Sequence, residues 1–233
     1  MMIGREVQGC YYLHPQRMGG PYIPHSPYMN GWLAAGGQCP DGDFLMVGLG
    51  SGAGAVGLLL NFPDITLTVL ELSPEVLKGA EELCPLVGAL QGMGRLTVHL
   101  GDAKAFLDRT PDTWDVGLGD AYQSKPGYAC ETTYLPGLLK HSKEYWLNVI
   151  GRPQQGTLPA ILGQLRGLDR PPGTLLTTGD GHEMANWLVG ETSYEPHELE
   201  LGCRPFEGQD SQAAREVRAQ YRHLVARNYL ARH

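Results

Sequence analysis

Three carboxylates follow three apolar runs of this 233-residue chain. Glu71 closes the run TLTVLE, Asp102 follows LTVHLG, and Asp120 follows WDVGLG. If these runs are strands of one parallel sheet, their carboxyl ends meet at a single edge, which is where such sheets bind ligands. Negative charge at that edge repels a pyrophosphate and attracts a sulfonium or an amine. The three residues therefore predict a pocket for a ligand that carries positive charge.

A glycine-rich turn, GLGSGAG, precedes Glu71 in the chain and contains Gly48, Gly50, Ser51 and Gly52. An apolar run leads into the turn and a helix-like run follows it, which is the order of a nucleotide-binding βαβ unit. The glycines let the backbone approach a ligand, and a carboxylate at the end of the second strand can bind both hydroxyls of a ribose. The turn therefore predicts a nucleoside-containing ligand. Because its spacing also satisfies a loose dinucleotide fingerprint, NAD is an alternative on this stretch alone.

The elements that must position these residues follow from alternating strand-like and helix-like patterns. Apolar runs predict strands at 44–47, 66–70, 96–100, 114–119, 145–151, 174–178 and 186–189. Helices are predicted at 26–36, 55–60, 73–83, 158–167 and about 210–230. Ser26 and Ser73 are the predicted N-caps of two of these helices, and Pro85 is expected to end the second one. Strands that alternate with helices predict an α/β fold with a parallel sheet.

The length of the chain suits one α/β domain with small additions. Residues 1–40 are predicted to form an N-terminal extension whose helix covers the site, and residues 41–233 to form the ligand-binding domain with a C-terminal helix. A loop at 123–137 contains proline and glycine and is long enough to act as a lid over the pocket. The helix at about 210–230 is a candidate contact for a homodimer.

Composition narrows the partners and the compartment. The net charge is −7, from 18 basic and 25 acidic residues, which argues against a nucleic-acid partner. No apolar stretch approaches the roughly 20 residues of a membrane-spanning helix, so no membrane partner is expected. The five cysteines lack CxxC spacing and the eight histidines lack HxxxH spacing, so we expect reduced thiols, no metal and a cytoplasmic location. The expected partner is a small-molecule substrate.

These stretches together resemble the class I fold of S-adenosylmethionine (SAM) dependent methyltransferases, and within it the spermidine synthase-like branch. The resemblance is carried by VGLGSGAG at 47–54, TVLELSPEV at 68–76, LTVHLGDA at 96–103, WDV at 114–116 followed by Asp120, and YWLNVIG at 145–151. It implies a Rossmann-like, doubly wound, mostly parallel seven-stranded sheet with a short N-terminal extension. It also implies that SAM is bound as the substrate, with Glu71 on the ribose, Asp102 on the adenine amino group and Asp120 facing the reacting centre.

Three positions depart from the pattern of aminopropyltransferases. Those enzymes commonly carry an acidic residue in the glycine loop, where it pairs with the ammonium of decarboxylated SAM, and this chain has Ser51 there. A hydroxyl and the loop N–H groups can instead accept the carboxylate of intact SAM. Gln123 stands where the family has a second Asp for the polyamine, and Tyr28 is followed by Met29 and Asn30 instead of His and Glu. Spermidine synthesis is therefore disfavoured.

The resemblance implies attack at the γ-carbon of the methionine chain with release of methylthioadenosine. Attack by SAM's own α-amine closes a four-membered ring to azetidine-2-carboxylate, as in a SAM cyclase, whereas attack by a small external amine transfers an aminocarboxypropyl group. Asp120 is the predicted base for the amine, and Tyr122 and Tyr28 are predicted to stabilise the sulfonium by cation–π contact. The predicted catalytic residues are Asp120, Tyr122 and Tyr28, and the predicted SAM-binding residues are Gly48, Gly50, Ser51, Gly52, Glu71, Asp102 and Asp120.

Three alternatives stay open at this point. Methyl transfer to a small metabolite is the most frequent reaction of this fold, and a fold does not determine a reaction. Aminopropyl transfer of the spermidine synthase type is the second alternative, and a non-catalytic SAM-binding protein is the third. Product analysis after incubation with SAM separates these chemistries, because methylthioadenosine indicates γ-attack and S-adenosylhomocysteine indicates methyl transfer.

Overall fold

The computed structural model describes residues 2–3, 6–7, 29–122, 132–151, 156–177 and 185–191. The strands in these ranges are β1 (Met2–Ile3), β2 (Glu6–Val7), β3 (Asp43–Val47), β4 (Thr66–Glu71), β5 (Leu96–Leu100), β6 (Trp114–Gly119), β7 (Ser142–Gly151), β8 (Thr174–Thr177) and β9 (Ala185–Gly190). The helices are α1 (Met29–Gln38), α2 (Ala53–Asn61), α3 (Pro74–Leu83), α4 (Pro85–Gly92), α5 (Ala103–Leu107), α6 (Leu135–His141) and α7 (Thr157–Gly167). Strands β1 and β2 form a small antiparallel pair.

The other strands form one seven-stranded sheet in the order β5-β4-β3-β6-β7-β9-β8. The strands from β5 to β7 in this order are parallel to their neighbours, whereas β9 runs antiparallel to both β7 and β8. This arrangement confirms the predicted Rossmann-like fold with its mostly parallel sheet. The chain order reverses between β3 and β6, and in open α/β sheets ligands bind beyond the carboxyl ends of the strands at such a switch point.

The sheet separates two hydrophobic cores, as expected for a doubly wound fold. The core on the side of α1 to α4 contains Trp32 and Leu58, and the core on the side of α5 to α7 contains Leu138. Successive side chains of a strand point to opposite faces, so Tyr145 of β7 enters the second core and Trp146 the first. Helices therefore cover both faces of the sheet, and we expect the site at the ends of the strands.

Helix α1 belongs to the first of these cores. Trp32 is wholly buried, and Gly31 lies so close to Leu188 of β9 that a Cβ would come within 2.9 Å of that side chain. The predicted extension at 1–40 thus ends in a helix that packs into the same core as the sheet. The division of the chain at residue 40, and the cover that this helix gives to the site, stay predictions.

Three helices, α4, α5 and α6, are not among the helices predicted from the sequence. Helix α3 ends at Leu83 as predicted, but Pro85 begins α4 at once, because proline is well tolerated at the first position of a helix. The loop expected at 123–137 ends early, because α6 begins at Leu135. Helix α6 leads into β7 without a connecting loop.

Strand β7 begins at Ser142 and not at Tyr145. The charged residues Lys143 and Glu144 interrupt the apolar pattern that the sequence prediction followed, although Ser142 and Glu144 pair with β6 like the residues after them. Several predicted features lie outside the described residues: the N-cap Ser26, Tyr28, the segment 123–131 with Gln123, and the helix at about 210–230.

Candidate functional site

The glycine turn that was predicted to contact the ligand joins β3 to α2. Gly48, Gly50 and Gly52 have φ values of 94°, 54° and 78°, a region that glycine enters without the steric cost of a Cβ. Ser51 is wholly buried, and its Oγ accepts the N–H of Ala53 at 3.4 Å. The Ser51 hydroxyl thus lies inside the turn, and its contact with the carboxylate of SAM stays a prediction.

Gly48 also sets the distance between this turn and Asp120. The N–H of Asp120 donates to the carbonyl oxygen of Val47 at 2.9 Å, so Asp120 directly follows the pairing of β3 with β6. A Cβ on Gly48 would lie 2.6 Å from the carbonyl oxygen of Asp120, which is a steric clash with backbone. The absence of a side chain at Gly48 therefore allows the turn and Asp120 to meet at the switch point.

Glu71 is buried at the end of β4 and holds two backbone segments. Its Oε2 accepts the N–H of Leu49 in the glycine turn at 2.8 Å, and its Oε1 accepts the N–H of Ser73 at 2.9 Å. Each carboxylate oxygen has a second lone pair, so both oxygens keep acceptor capacity for hydroxyl groups. Glu71 is thus positioned by neutral donors at the edge where a ribose was predicted to bind.

Asp102 lies at the carboxyl end of β5, in an exposed position. Its Oδ1 accepts the N–H of Ala105 at 2.7 Å, so it is the N-cap of α5. The N–H of Gly101 donates to the carbonyl oxygen of Glu71 at 2.9 Å, which ties the ends of β4 and β5 together. Asp102 therefore shares the edge with Glu71 and caps a helix, and its contact with adenine stays a prediction.

Asp120 is half-buried and forms a cluster with two residues of the neighbouring segments. The Nδ2 of Asn148 on β7 donates to Oδ1 of Asp120 at 2.8 Å. The hydroxyl of Tyr122 donates to the backbone carbonyl oxygen of Asn148 at 2.5 Å. The sequence marks Asn148, a polar amide at the end of an apolar run, as a weaker site candidate, which the predicted catalytic and SAM-binding sets leave out.

Two leucines that the sequence prediction did not select are exposed at the same edge. Leu72 is 71% exposed and Leu100 is 52% exposed. They flank Glu71, because Leu72 follows it in the chain and Leu100 pairs with it across β4 and β5. Large apolar side chains in water beside an oriented carboxylate can cover the flat face of an aromatic base. A leucine directly after the acidic residue that ends a strand is the sequence signal for this feature.

The switch point thus gathers most of the predicted site at one edge of the sheet. The residues that the structure brings there are Gly48, Gly50, Ser51, Gly52, Glu71, Asp120 and Tyr122, with Asp102 farther out on β5. Within the described ranges, no group of three or more His, Cys, Asp or Glu residues is arranged to hold a metal ion. In the same ranges, no helix has the length and apolar character needed to cross a bilayer.

Comparison with known proteins finds similar folds without close sequence similarity. No protein-family model matches the chain, and no curated protein matches it. A protein from Corynebacterium glutamicum named as a probable spermidine synthase has a TM-score of 0.56 at 16% identity, covering 83% of this chain and 77% of its own. Spermidine synthase from Thermotoga maritima has a TM-score of 0.55 at 9% identity, with 79% and 63% covered. Human methyltransferase-like protein 13, solved with S-adenosylhomocysteine (SAH), has a TM-score of 0.52 at 18% identity, with 83% and 89% covered.

At these identities the likeness concerns the fold. The chain has the architecture shared by class I SAM-dependent methyltransferases and spermidine synthases, as the sequence resemblance implied. The reaction has to be argued from the residues at the switch point, because one fold supports many reactions.

Proposed function

We propose that this chain is a SAM-using enzyme in which Asp120 assists an amine in attacking the γ-carbon of the methionine chain, releasing methylthioadenosine. The observation that carries the proposal is the position of Asp120. Asp120 is half-buried, its backbone lies against Gly48 of the glycine turn at the switch point, and its carboxylate accepts a hydrogen bond from the neutral amide of Asn148. A carboxylate in this position suits a cationic donor and an amine nucleophile together.

The adenosine part of SAM fits the other groups at this edge. The oriented carboxylate of Glu71 can accept hydroxyl groups of the ribose, and the exposed side chains of Leu72 and Leu100 can cover the adenine. The turn supplies backbone N–H groups at the start of α2, which favour a negatively charged group such as the carboxylate of SAM. The residues present therefore match the hydroxyl, aromatic and anionic parts of one ligand.

The reaction balances with these groups alone. The lone pair of a neutral amine forms a bond to the γ-carbon while the bond from the γ-carbon to sulfur breaks. The electron pair of that bond goes to sulfur, which changes from a sulfonium to the neutral thioether of methylthioadenosine. The attacking amine is protonated before the reaction, and it passes that proton to Asp120 to become the neutral nucleophile. Asp120 also holds the nitrogen in line with the γ-carbon. With SAM's own α-amine the product is azetidine-2-carboxylate, and with a small external amine it is an aminocarboxypropyl adduct.

Methyl transfer to a small metabolite is the second candidate. It is favoured by the likeness to human methyltransferase-like protein 13, of which the matched region covers 89%. The same carboxylate would then accept a proton from the methyl acceptor, and SAH would be released. Aminopropyl transfer is favoured only by the likeness to spermidine synthases and requires decarboxylated SAM as the donor.

Incubation of the purified chain with SAM, followed by product analysis, tests the proposal. We expect methylthioadenosine together with azetidine-2-carboxylate, or with an adduct once a small amine is added. Formation of SAH, and only when an acceptor is present, would show that the reaction is methyl transfer and not γ-attack. Binding of SAM without formation of either product would indicate a non-catalytic SAM-binding protein. Preference for decarboxylated SAM over SAM would restore the aminopropyltransferase alternative.

A further inference from the structure

Asn148 lies on the strand next to Asp120 and faces it directly. Gly119 pairs with Leu147 in the register of β6 and β7, so Asp120 and Asn148 are the next opposing pair at the carboxyl end. The side chain of Asn148 is buried, and its Nδ2 lies 2.8 Å from Oδ1 of Asp120. We propose that Asn148 is the positioning residue of this site, which orients the Asp120 carboxylate and stabilises its charged form.

Two further contacts make Asn148 a rigid donor. Its backbone pairs with Leu188 of β9, one residue beyond the last pair of β7 with β6. The hydroxyl of Tyr122 donates to the carbonyl oxygen of Asn148 at 2.5 Å, which ties the segment after β6 to β7. Asp120 is thus held from two sides, by the Asn148 amide at its carboxylate and by the close approach of Gly48 at its backbone. Small movements of a catalytic group reduce the rate strongly, so this fixation matters for turnover.

The Asn148 amide also favours the ionised state of its partner. An N–H that donates to a carboxylate stabilises the anion, so the carboxylate stays deprotonated to lower pH than it would without the donor. A base must be deprotonated to accept a proton from the amine. We therefore expect that loss of the Asn148 donor moves the loss of activity in acid to higher pH. This inference rests on the proposed role of Asp120 as the base.

Two substitutions at Asn148 and one control test this role. Asn148→Leu removes the donor, and Asn148→Asp keeps the shape while placing a second carboxylate against Asp120. The control is Asn61→Leu, which removes a comparable amide contact, from Nδ2 to the carbonyl oxygen of Gly57 at 2.7 Å, at the far end of α2. We expect turnover to fall about 10²-fold in both Asn148 variants, the loss typical of a misplaced reacting group. Affinity for SAM and turnover of the control should stay near wild type.

The pH profile of turnover separates positioning from a structural role. In Asn148→Leu the acid limb should move to higher pH, because the anion has lost its donor. In Asn148→Asp it should move further in the same direction, because the two carboxylates repel each other. An acid limb at the wild-type position in both folded variants would overturn the inference. If Asn148→Leu does not fold, the isosteric Asn148→Asp variant decides.

A double substitution tests whether Asn148 acts through Asp120. If it does, adding Asn148→Leu to Asp120→Asn should cause little further loss of turnover, since the carboxylate is already gone. Losses that multiply would show that the two residues act independently and would overturn the inference.

Carbon-13 NMR titration of the Asp120 carboxyl group, assigned with Asp120→Asn, gives a readout that needs no turnover. A titration midpoint that rises in Asn148→Leu and not in Asn61→Leu supports the positioning role, even if the wild-type chain proves inactive with SAM and the proposed function fails. An unchanged midpoint in Asn148→Leu overturns the positioning role, even if methylthioadenosine is formed. The two proposals can therefore fail separately.

Discussion

The two edges of the sheet both carry carboxylates, but their partners differ. At the amino-terminal edge, Asp115 contacts the ammonium of Lys143 at 2.6 Å and accepts the N–H of Asp43 at 2.9 Å. Asp43 in turn accepts the hydroxyl of Thr66 at the start of β4. These contacts join the starts of four neighbouring strands. The ammonium of Lys143 compensates the charge of Asp115, and the contacts of Asp115 stabilise the sheet.

At the carboxyl-terminal edge, Glu71 and Asp120 each accept hydrogen bonds from neutral donors. Glu71 accepts the N–H groups of Leu49 and Ser73, and Asp120 accepts the amide of Asn148. Neutral donors orient a carboxylate without adding a compensating positive charge. The comparison therefore shows that carboxylates at the two ends of the strands have different kinds of partner, and we propose that this difference distinguishes the ligand-binding groups from Asp115, which is structural.

A cavity also opens at the edge opposite the proposed site. An open cavity of about 510 Å³ lies at the amino-terminal edge, with Asp43, Thr66 and Trp114 among its lining residues. Its polar groups already bond to each other, as the contact of Thr66 with Asp43 shows. The partners of the charged groups are the better guide to the site.

Replacement of Asp120 should give the largest effect, a loss of turnover that the matching replacement at the opposite edge does not cause. Asp120→Asn keeps the shape and removes charge and basicity, so turnover should fall by about 10²–10⁴, the usual range for a positioned acid–base group. Affinity for SAM should change far less, because the contacts proposed for adenosine are made by other residues. The matched control is Asp115→Asn at the opposite edge, which should keep the turnover of each folded molecule. Steady-state rates and melting temperatures measured on the same preparations check this, and near-normal turnover of folded Asp120→Asn would remove Asp120 from the mechanism.

Replacement of Glu71 should weaken binding. Glu71→Ala removes the acceptor for the ribose and also releases the N–H groups of Leu49 and Ser73. We expect SAM binding to weaken by about 1.5–3 kcal/mol, the range for hydrogen bonds to charged groups. Calorimetric titration measures this loss, with Asp43→Ala as the control from the opposite edge. Unchanged affinity for SAM in Glu71→Ala, or binding of NAD by the wild-type chain, would contradict the assignment.

Replacement of Arg170 should affect stability alone. Its guanidinium pairs with Glu191 and donates to the carbonyl oxygens of Leu139 at 2.7 Å and Lys143 at 3.0 Å, so it joins α6, β7 and the end of β9. Arg170→Met should lower the free energy of unfolding by about 1.5–3 kcal/mol, because charged hydrogen bonds are lost in a half-buried position. Denaturant unfolding measures this change. Arg170 lies near the start of β7, at the amino-terminal edge. A lower affinity for SAM in Arg170→Met would therefore show that the two edges are coupled.

Acid should remove the contribution of Asp115 to stability, and this is the smallest expected effect. Hydrogen bonding to Lys143, and then to the N–H of Asp43, holds the pKa of the Asp115 carboxyl below its usual range. A carboxyl with a lowered folded-state pKa stabilises the protein above its unfolded-state pKa of about 4, and this stability is lost as pH falls through the folded-state pKa. The melting temperature of Asp115→Asn should therefore lie below that of wild type at neutral pH and approach it in acid. A difference that stays constant across this pH range would contradict the assignment.

The prediction from sequence worked where the signal is local. Strand β4, which ends at Glu71, strand β6, which ends just before Asp120, and the turn from Gly48 to Gly52 all follow from apolar runs and glycine spacing within each segment. The prediction failed where neighbouring elements determine the secondary structure of a residue. Pro85 begins a helix because another one has just ended, and β7 continues through charged residues because β6 pairs with it.

The sequence by itself therefore determined the fold class, the glycine turn and the carboxylates at the strand ends, because backbone sterics and hydrophobic periodicity act over a few residues. Only the tertiary structure decided which of these groups meet. The contact between Asp120 and Asn148 joins residues 28 positions apart, and the fit of Gly48 against Asp120 needs two strands in register. Such contacts depend on how β3, β6 and β7 lie side by side, and no local pattern in any one strand encodes that order.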